Sequence, residues 1–174
     1  MNARDLERVI ANFTRFDASD LALRTRALRE AGFIPGRQGK AIDLGADHVA
    51  AVLIGVAAAP RPANVAAQCL LFSVLVGGTG RTFAEDLAQV IAAPERAGRV
   101  AWVRVCHTAP QAEIAFSHPS QIGLEVVTYL PPQRDDRVAV GCIRSDATID
   151  GAFLHQLSIQ LKTGGAFIAV EEAV

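Results

Sequence analysis

The chain has little net charge and very little lysine. Its 174 residues carry 17 basic and 18 acidic side chains, for a formal net charge of −1, and the only lysines are Lys40 and Lys162. This balance excludes a protein that coats nucleic acid by bulk positive charge. Charged residues make up 20% of the chain and apolar residues 51%, which also excludes a disordered chain. Scarce lysine beside abundant arginine and alanine is typical of GC-rich bacteria and their phages.

The chain also lacks a long apolar run. The longest uncharged stretch, residues 62–80, contains Asn64 and several glycines. The more apolar stretch 49–60 is shorter than the roughly 20 residues that a spanning helix needs. We expect both to form buried helices instead. Three charged residues among the first seven occupy the place of a signal peptide's apolar region. The sequence therefore predicts a soluble, cytoplasmic protein with no membrane partner.

Residues that carry metal or catalytic chemistry are few and scattered. The cysteines are Cys69, Cys106 and Cys142, an odd number without metal-binding spacing, so we expect free thiols in a reducing compartment. Cys106 and His107 are adjacent and on a strand would point to opposite faces, so they cannot act as nucleophile and base for each other. We expect Cys106 to be a small core residue. The four histidines have no metal-binding spacing either. These patterns predict no metal, no cofactor and no catalytic residue, and they favour a protein that is not an enzyme.

Three further patterns favour structural roles. The glycine-rich segment Gly77–Thr82 precedes a helix but lacks the Gly-Lys-Ser/Thr ending of a phosphate loop, so we expect an interhelix turn. Asp146 and Asp150 are expected on a polar loop, where nothing places them across a cleft. Trp102 and Tyr129 are expected to pack in a sheet, because their surroundings are not basic enough for a nucleic-acid stacking platform.

Apolar residues recur at helical spacing in the first half of the chain and alternate in short runs after residue 98. The predicted helices are Ala3–Phe16, a helix from Asp17 or Ser19 to Ala31, Gly45–Ala59, Ala63–Val76, a helix from the capping box of Thr82 and Glu85 to Pro94, and Asp150–Leu161. The predicted strands are Val100–Cys106, Ala112–Phe116, Leu124–Leu130, Val138–Ile143 and Ala166–Val170. We therefore expect an α+β fold with a helical domain over residues 1–96. An α+β domain over residues 97–174 follows, in which one helix covers a mainly antiparallel sheet.

Although the net charge is close to zero, the charged residues are distributed unevenly along the chain. Residues 1–40 hold eight basic and five acidic side chains, a net +3, whereas residues 41–174 have a net charge of −4. Such an asymmetry is expected of a protein that contacts nucleic acid at one end. The candidate DNA-contacting residues are Arg24, Arg26, Arg29, Arg37 and Lys40. Arg26 and Arg29 are three apart and would share a helix face from which guanidinium groups reach phosphates or guanine edges. The alternative to DNA contact is that these arginines simply form a solvent-exposed helix face.

Three segments carry a resemblance to a known family. They are Leu28–Pro35 (LREAGFIP), the glycine-containing basic segment Gly36–Lys40 (GRQGK) and Asp47–Ala50 (DHVA). In this order they resemble the recognition helix, wing and following helix of MerR-type winged-helix proteins. The first subunit of some phage DNA-packaging motors has a similar winged-helix module. The resemblance covers about residues 4–59 and implies a winged-helix DNA-binding part. The aromatic pair usual in the second helix is absent, and Ala41 or Ile42 replaces the tyrosine that ends the wing.

Three hypotheses for function follow. The first is a DNA-binding protein, either a transcriptional regulator or a phage-type DNA-binding or packaging accessory, whose C-terminal module forms a homo-oligomer or binds a partner. The second is a non-catalytic assembly or structural oligomer of bacterial or phage origin. The third is a small-molecule-binding α+β domain with its site between the sheet and the C-terminal helix.

Overall fold

The computed structural model describes residues 1–14, 16–36, 42–107, 109–118, 123–132 and 146–163. The predicted α+β class is confirmed, because these residues form helices and one antiparallel sheet. The helices are α1 (Ala3–Phe13), α2 (Ala18–Glu30), α3 (Ala46–Ala58), a single 3-10 turn (Pro62–Asn64), α4 (Val65–Ser73), α5 (Phe83–Ala92), α6 (Pro94–Ala97) and α7 (Gly151–Thr163). The strands are β1 (Val76–Gly77), β2 (Val100–Cys106), β3 (Gln111–Ser117), β4 (Leu124–Leu130) and β5 (Asp146–Asp150).

Local capping signals place the helix ends. The Asn2 side chain accepts hydrogen bonds from the first turn of α1, and Thr82 and Glu85 form the predicted capping box of α5. Helix α2 ends as predicted at Gly32, which has a φ of +82°. The Gly32 N–H donates to the Arg29 carbonyl and the Phe33 N–H to the Leu28 carbonyl, at 3.1 and 2.9 Å. This pair of bonds is a Schellman motif, which glycine favours because it adopts positive φ without strain.

Helix α3 is the centre of the core. Every residue from Val49 to Val56 is buried, as its all-round apolar sequence predicts. It packs against α2, α4 and α5 on the helical side and against β2 and β5 of the sheet. Gly55 permits close approach of the neighbouring helices, because a Cβ there would lie 2.9 Å from Val65 and 3.1 Å from Leu28.

The sheet has the order β1-β4-β3-β2-β5, and each neighbouring pair is antiparallel. Strands β2 and β3 form the predicted hairpin through the turn at Pro110. Val103 and Val105 of β2 are fully buried. Helix α7 packs on β2 and β5 and also contacts α5 and α6. It is the covering helix that the sequence predicts.

Two expectations need correction. Asp146 and Asp150 lie at the ends of strand β5, which pairs with β2, rather than on a polar loop. An edge strand with half-exposed side chains has no strong apolar pattern, so the sequence did not reveal it. The helix predicted over Ala63–Val76 ends at Ser73, because Val76 lies in strand β1. It is also only partly buried, since Leu70 and Leu71 are 58% and 43% exposed.

Other predicted features lie outside the described residues or remain untested. The predicted strands 138–143 and 166–170 fall outside the described ranges, as does most of the predicted wing, residues 36–40. The predicted domain boundary, between residues 96 and 97, falls inside α6, and one hydrophobic cluster runs across it. Helix α5 packs on α7, and the short strand β1 pairs with β4.

Candidate functional site

Arg24 points into the protein. Its side chain is 2% exposed, its Nε donates to Asp20 Oδ2 at 2.6 Å, and its Nη1 donates to the Ala59 carbonyl at 2.7 Å. The guanidinium group also lies over the ring of Phe16, 4.6 Å from the centroid. The structure therefore does not place Arg24 on the surface with the other predicted DNA-contacting residues of α2. The reason is helical position, since residue 24 shares the buried face of α2 with Leu21.

Arg26 and Arg29 lie on the outward side of α2, where Arg26 is exposed and Arg29 is half-buried. Both line a groove of about 410 Å³ between α1 and α2, which Arg4 and Glu7 of α1 also line. Arg26 Nε donates to Glu30 Oε1 at 2.7 Å. This hydrogen bond is the main reason that the pKa of Arg26 is raised, so its charge is permanent. The structure thus brings two of the five predicted residues together and adds Arg4.

Arg37 and Lys40, the last two of the predicted DNA-contacting residues, lie outside the described residues. Gly36 and Ile42 are the described residues on either side of this segment. Both line the groove that Arg26 and Arg29 also line.

The described cysteines are packing residues. Cys69 is fully buried, and its thiol donates to the Ala51 carbonyl at 3.3 Å. Burial raises the pKa of the Cys69 thiol to about 11, so it is protonated at neutral pH. Cys106 is buried as predicted, and the neighbouring His107 instead places Nε2 2.7 Å from the Ala57 carbonyl. Among the described residues no three histidine, cysteine or acidic side chains are grouped to hold a metal ion.

A buried polar cluster joins α5 to the sheet. The Tyr129 hydroxyl donates to Asp86 Oδ2 at 2.8 Å, and both residues are buried. Arg81 Nε and Arg96 Nη2 lie 3.4 and 3.8 Å from the other oxygen, Oδ1. Desolvation, followed by the hydrogen bond to Asp86, raises the pKa of Tyr129 well above its usual value, so the phenol stays a proton donor.

No pattern in the sequence predicts this cluster. Tyr129 was expected only as a packing residue, and it does pack, with its ring 5.2 Å from that of Phe83. The available signal was Asp86 itself, an acidic residue between Phe83 and Val90 on the apolar face of α5. A carboxylate at such a position needs a buried partner, but the partner is 43 residues away in sequence.

A second cleft, of about 420 Å³, is mostly apolar. It lies where α1, α3, β5 and α7 meet, next to the rings of Phe13 and Phe153, whose centroids are 5.0 Å apart. His107 and Gln156 are among its few polar side chains. This position, between the edge of the sheet and α7, is where the third hypothesis expects a site.

Comparisons with models of protein families, with curated proteins and with solved structures found no match for this chain. None of the helices in the described part of the chain has the length and apolarity that crossing a bilayer requires.

The inward position of Arg24 leads to a testable difference between two arginines of the same helix. Arg24→Met keeps an apolar stem but removes the bonds to Asp20 and Ala59, and hydrogen bonds to charged groups contribute about 1.5–3 kcal/mol. We expect the free energy of unfolding, measured with urea, to fall by about that amount. Arg26→Met is the matched control and should leave the unfolding midpoint unchanged, because water screens an exposed ion pair. Equal effects of the two substitutions would contradict the assigned roles.

Proposed function

We propose that the protein binds duplex DNA through the groove between α1 and α2, as a transcriptional regulator or a phage-type DNA-binding or packaging accessory. The observation that carries the proposal is the convergence of Arg4, Arg26 and Arg29 on one groove. The resemblance to MerR-type winged-helix modules over residues 4–59 supports the same assignment and remains part of the proposal.

The chemistry of the groove suits a phosphate backbone. A guanidinium group donates two parallel hydrogen bonds to phosphate oxygens, and several such contacts fix the register of a protein on a duplex. The bond from Arg26 to Glu30 is no obstacle, because both side chains are more than 60% exposed and such pairs are weak. Glu7 also lines the groove and opposes an anion there. Arg37 and Lys40 would add to the positive charge from the segment that follows α2.

We further propose that the protein is cytoplasmic and forms a homo-oligomer. The support for self-association is an apolar face formed by Leu70 and Leu71 of α4 and by Val74, the residue that follows this helix; they are 58%, 43% and 45% exposed. Together with Ala67 these residues follow the i, i+3, i+4, i+7 spacing of one helix face. The face belongs to the helical part of the chain, whereas the sequence predicts self-association through the C-terminal part.

The test of DNA binding is a salt series on a mixed-sequence duplex, followed by fluorescence anisotropy. Each phosphate contact contributes about 0.9 to the slope of log K against log salt, so Arg26→Ala and Arg29→Ala should each lower that slope by about 0.9 and weaken binding. Arg61→Ala is the control, because Arg61 is exposed and does not line the groove. No affinity at low salt, or groove variants that match Arg61→Ala, would rule the proposal out.

The apolar cleft between α1, α3, β5 and α7 favours a second candidate function, the binding of a small apolar molecule. Concave, mainly apolar sites of this size with a few polar groups are typical of small-molecule pockets. An uncharged fluorophore, N-phenyl-1-naphthylamine, should bind the protein, and Ala152→Phe at the cleft should abolish its fluorescence gain. Ala92→Phe, an exposed position outside the cleft, should not. Unchanged fluorescence in the Ala152 variant would rule the cleft out as the binding site.

A further inference from the structure

Two arginines from different elements converge on the same acceptors. Arg81 precedes α5 and Arg96 lies in α6, yet both donate from Nη1 to Gln89 Oε1, at 2.6 and 2.8 Å. Both also face Asp86 Oδ1, at 3.4 and 3.8 Å. The two guanidinium groups are therefore held within two hydrogen-bond lengths of each other by the side chains of one helix face.

This arrangement holds two positive charges close together, and the counter-charge that both of them face is the single carboxylate of Asp86. Like charges at such a distance repel each other. Asp86 is the described carboxylate that both arginines face, and its second oxygen already accepts the hydrogen bond of Tyr129. The neighbouring Glu85 also attracts Arg81, which contributes to the lowered pKa of the Glu85 carboxyl. Gln89 orients the arginines but carries no charge. An anion that bridged the two guanidinium groups would remove the repulsion.

The pair opens onto a cleft with room for a ligand. Arg81 and Arg96 are 39% and 40% exposed, and they line a cleft of about 600 Å³ with a third arginine, Arg99. Phe116 and Val127 provide an apolar wall, and the Arg96 guanidinium lies 5.8 Å from the centre of the Phe116 ring. A guanidinium group beside an aromatic ring is suited to a ligand with a flat apolar part and an anionic end.

Two further acidic residues line the cleft and reduce its affinity for an anion. Glu95 and Glu125 also line it, and both are exposed to solvent. Water screens them more than it screens the buried Asp86, so they weaken an anion's binding without preventing it. The anionic group of a ligand would be placed at Arg81 and Arg96, and its apolar part against Phe116 and Val127.

We propose that this cleft binds a small organic anion, with a phosphate or carboxylate group held between Arg81 and Arg96 and an aromatic ring against Phe116. The proposal does not rest on DNA binding, because the cleft and the α1–α2 groove share no residue. One proposal can therefore fail while the other holds.

Isothermal titration calorimetry with simple probes tests the site. Phenyl phosphate and benzoate differ in the anionic group, so together they show whether a phosphate or a carboxylate is preferred. Inorganic phosphate lacks the ring and benzyl alcohol lacks the charge. We expect at least one of the ringed anions to bind, inorganic phosphate to bind about tenfold more weakly, and benzyl alcohol not to bind. Absence of binding by both ringed anions at millimolar concentration, or equal binding of benzyl alcohol, would overturn the proposal.

Variants assign the binding to the two arginines. Arg81→Gln and Arg96→Gln should each weaken the preferred probe at least about tenfold, whereas Arg61→Gln, an exposed arginine outside the cleft, should have no effect. Glu95→Gln leaves both arginines in place and should strengthen binding, which keeps the test valid if the arginine variants unfold. Folded arginine variants with unchanged affinity, or a Glu95→Gln variant that binds no more tightly, would contradict the proposal.

Discussion

The hydrogen bond from Arg24 to the Ala59 carbonyl joins α2 to the end of α3, and the rest of the structure is arranged around that helix. Helix α3 is buried along most of its length and contacts both the other helices and the sheet. Its last carbonyls have no partner inside the helix, so Ala59 needs a donor from elsewhere. Arg24 supplies that donor, and Asp20 and Phe16 accommodate the charge that comes with it. The position of α2, and of the arginines on its outer side, depends on this contact.

The other charged residues differ in role because they differ in their exposure to solvent. Asp86 is buried and has a partner on each oxygen, so its first role is to connect α5 with β4. Arg26 and Arg29 are on the surface, where their charge contributes little to stability and is available to a ligand. Arg81 and Arg96 are intermediate, since buried groups hold them in place but their outer sides face a cleft. The groove and the cleft are thus two separate concentrations of guanidinium groups in a chain with almost no net charge.

Much of the fold could be predicted from the sequence, because local rules determine much of it. Apolar periodicity and capping residues located α1, α2, α3 and α5 to within a few residues, and the glycine at position 32 marked the end of α2. Strand β5 was not predicted, because its stability comes from pairing with β2 rather than from its own pattern. The exposed face of α4 was also not predicted, since composition cannot distinguish a buried helix from one with an unpartnered side.

The candidate sites were less predictable than the fold. The charge asymmetry drew attention to the segment that carries Arg26 and Arg29, but it could not show that Arg24, on the same helix, faces inward. That distinction depends on the Ala59 carbonyl, 35 residues away in sequence. The Asp86–Tyr129 pair and the convergence of Arg81 with Arg96 likewise depend on long-range packing. Sequence patterns indicate which charged side chains a helix carries, whereas tertiary contacts determine which of those side chains remain exposed and able to bind a ligand.

The most direct test of the central claim, that the outward arginines of α1 and α2 form the nucleic-acid surface, is amide hydrogen–deuterium exchange with and without duplex DNA. We predict slower exchange in the segments around Arg4 and Arg26, and unchanged exchange in β2 and β3. Protection confined to the sheet, or unchanged exchange along the whole chain, would contradict the account.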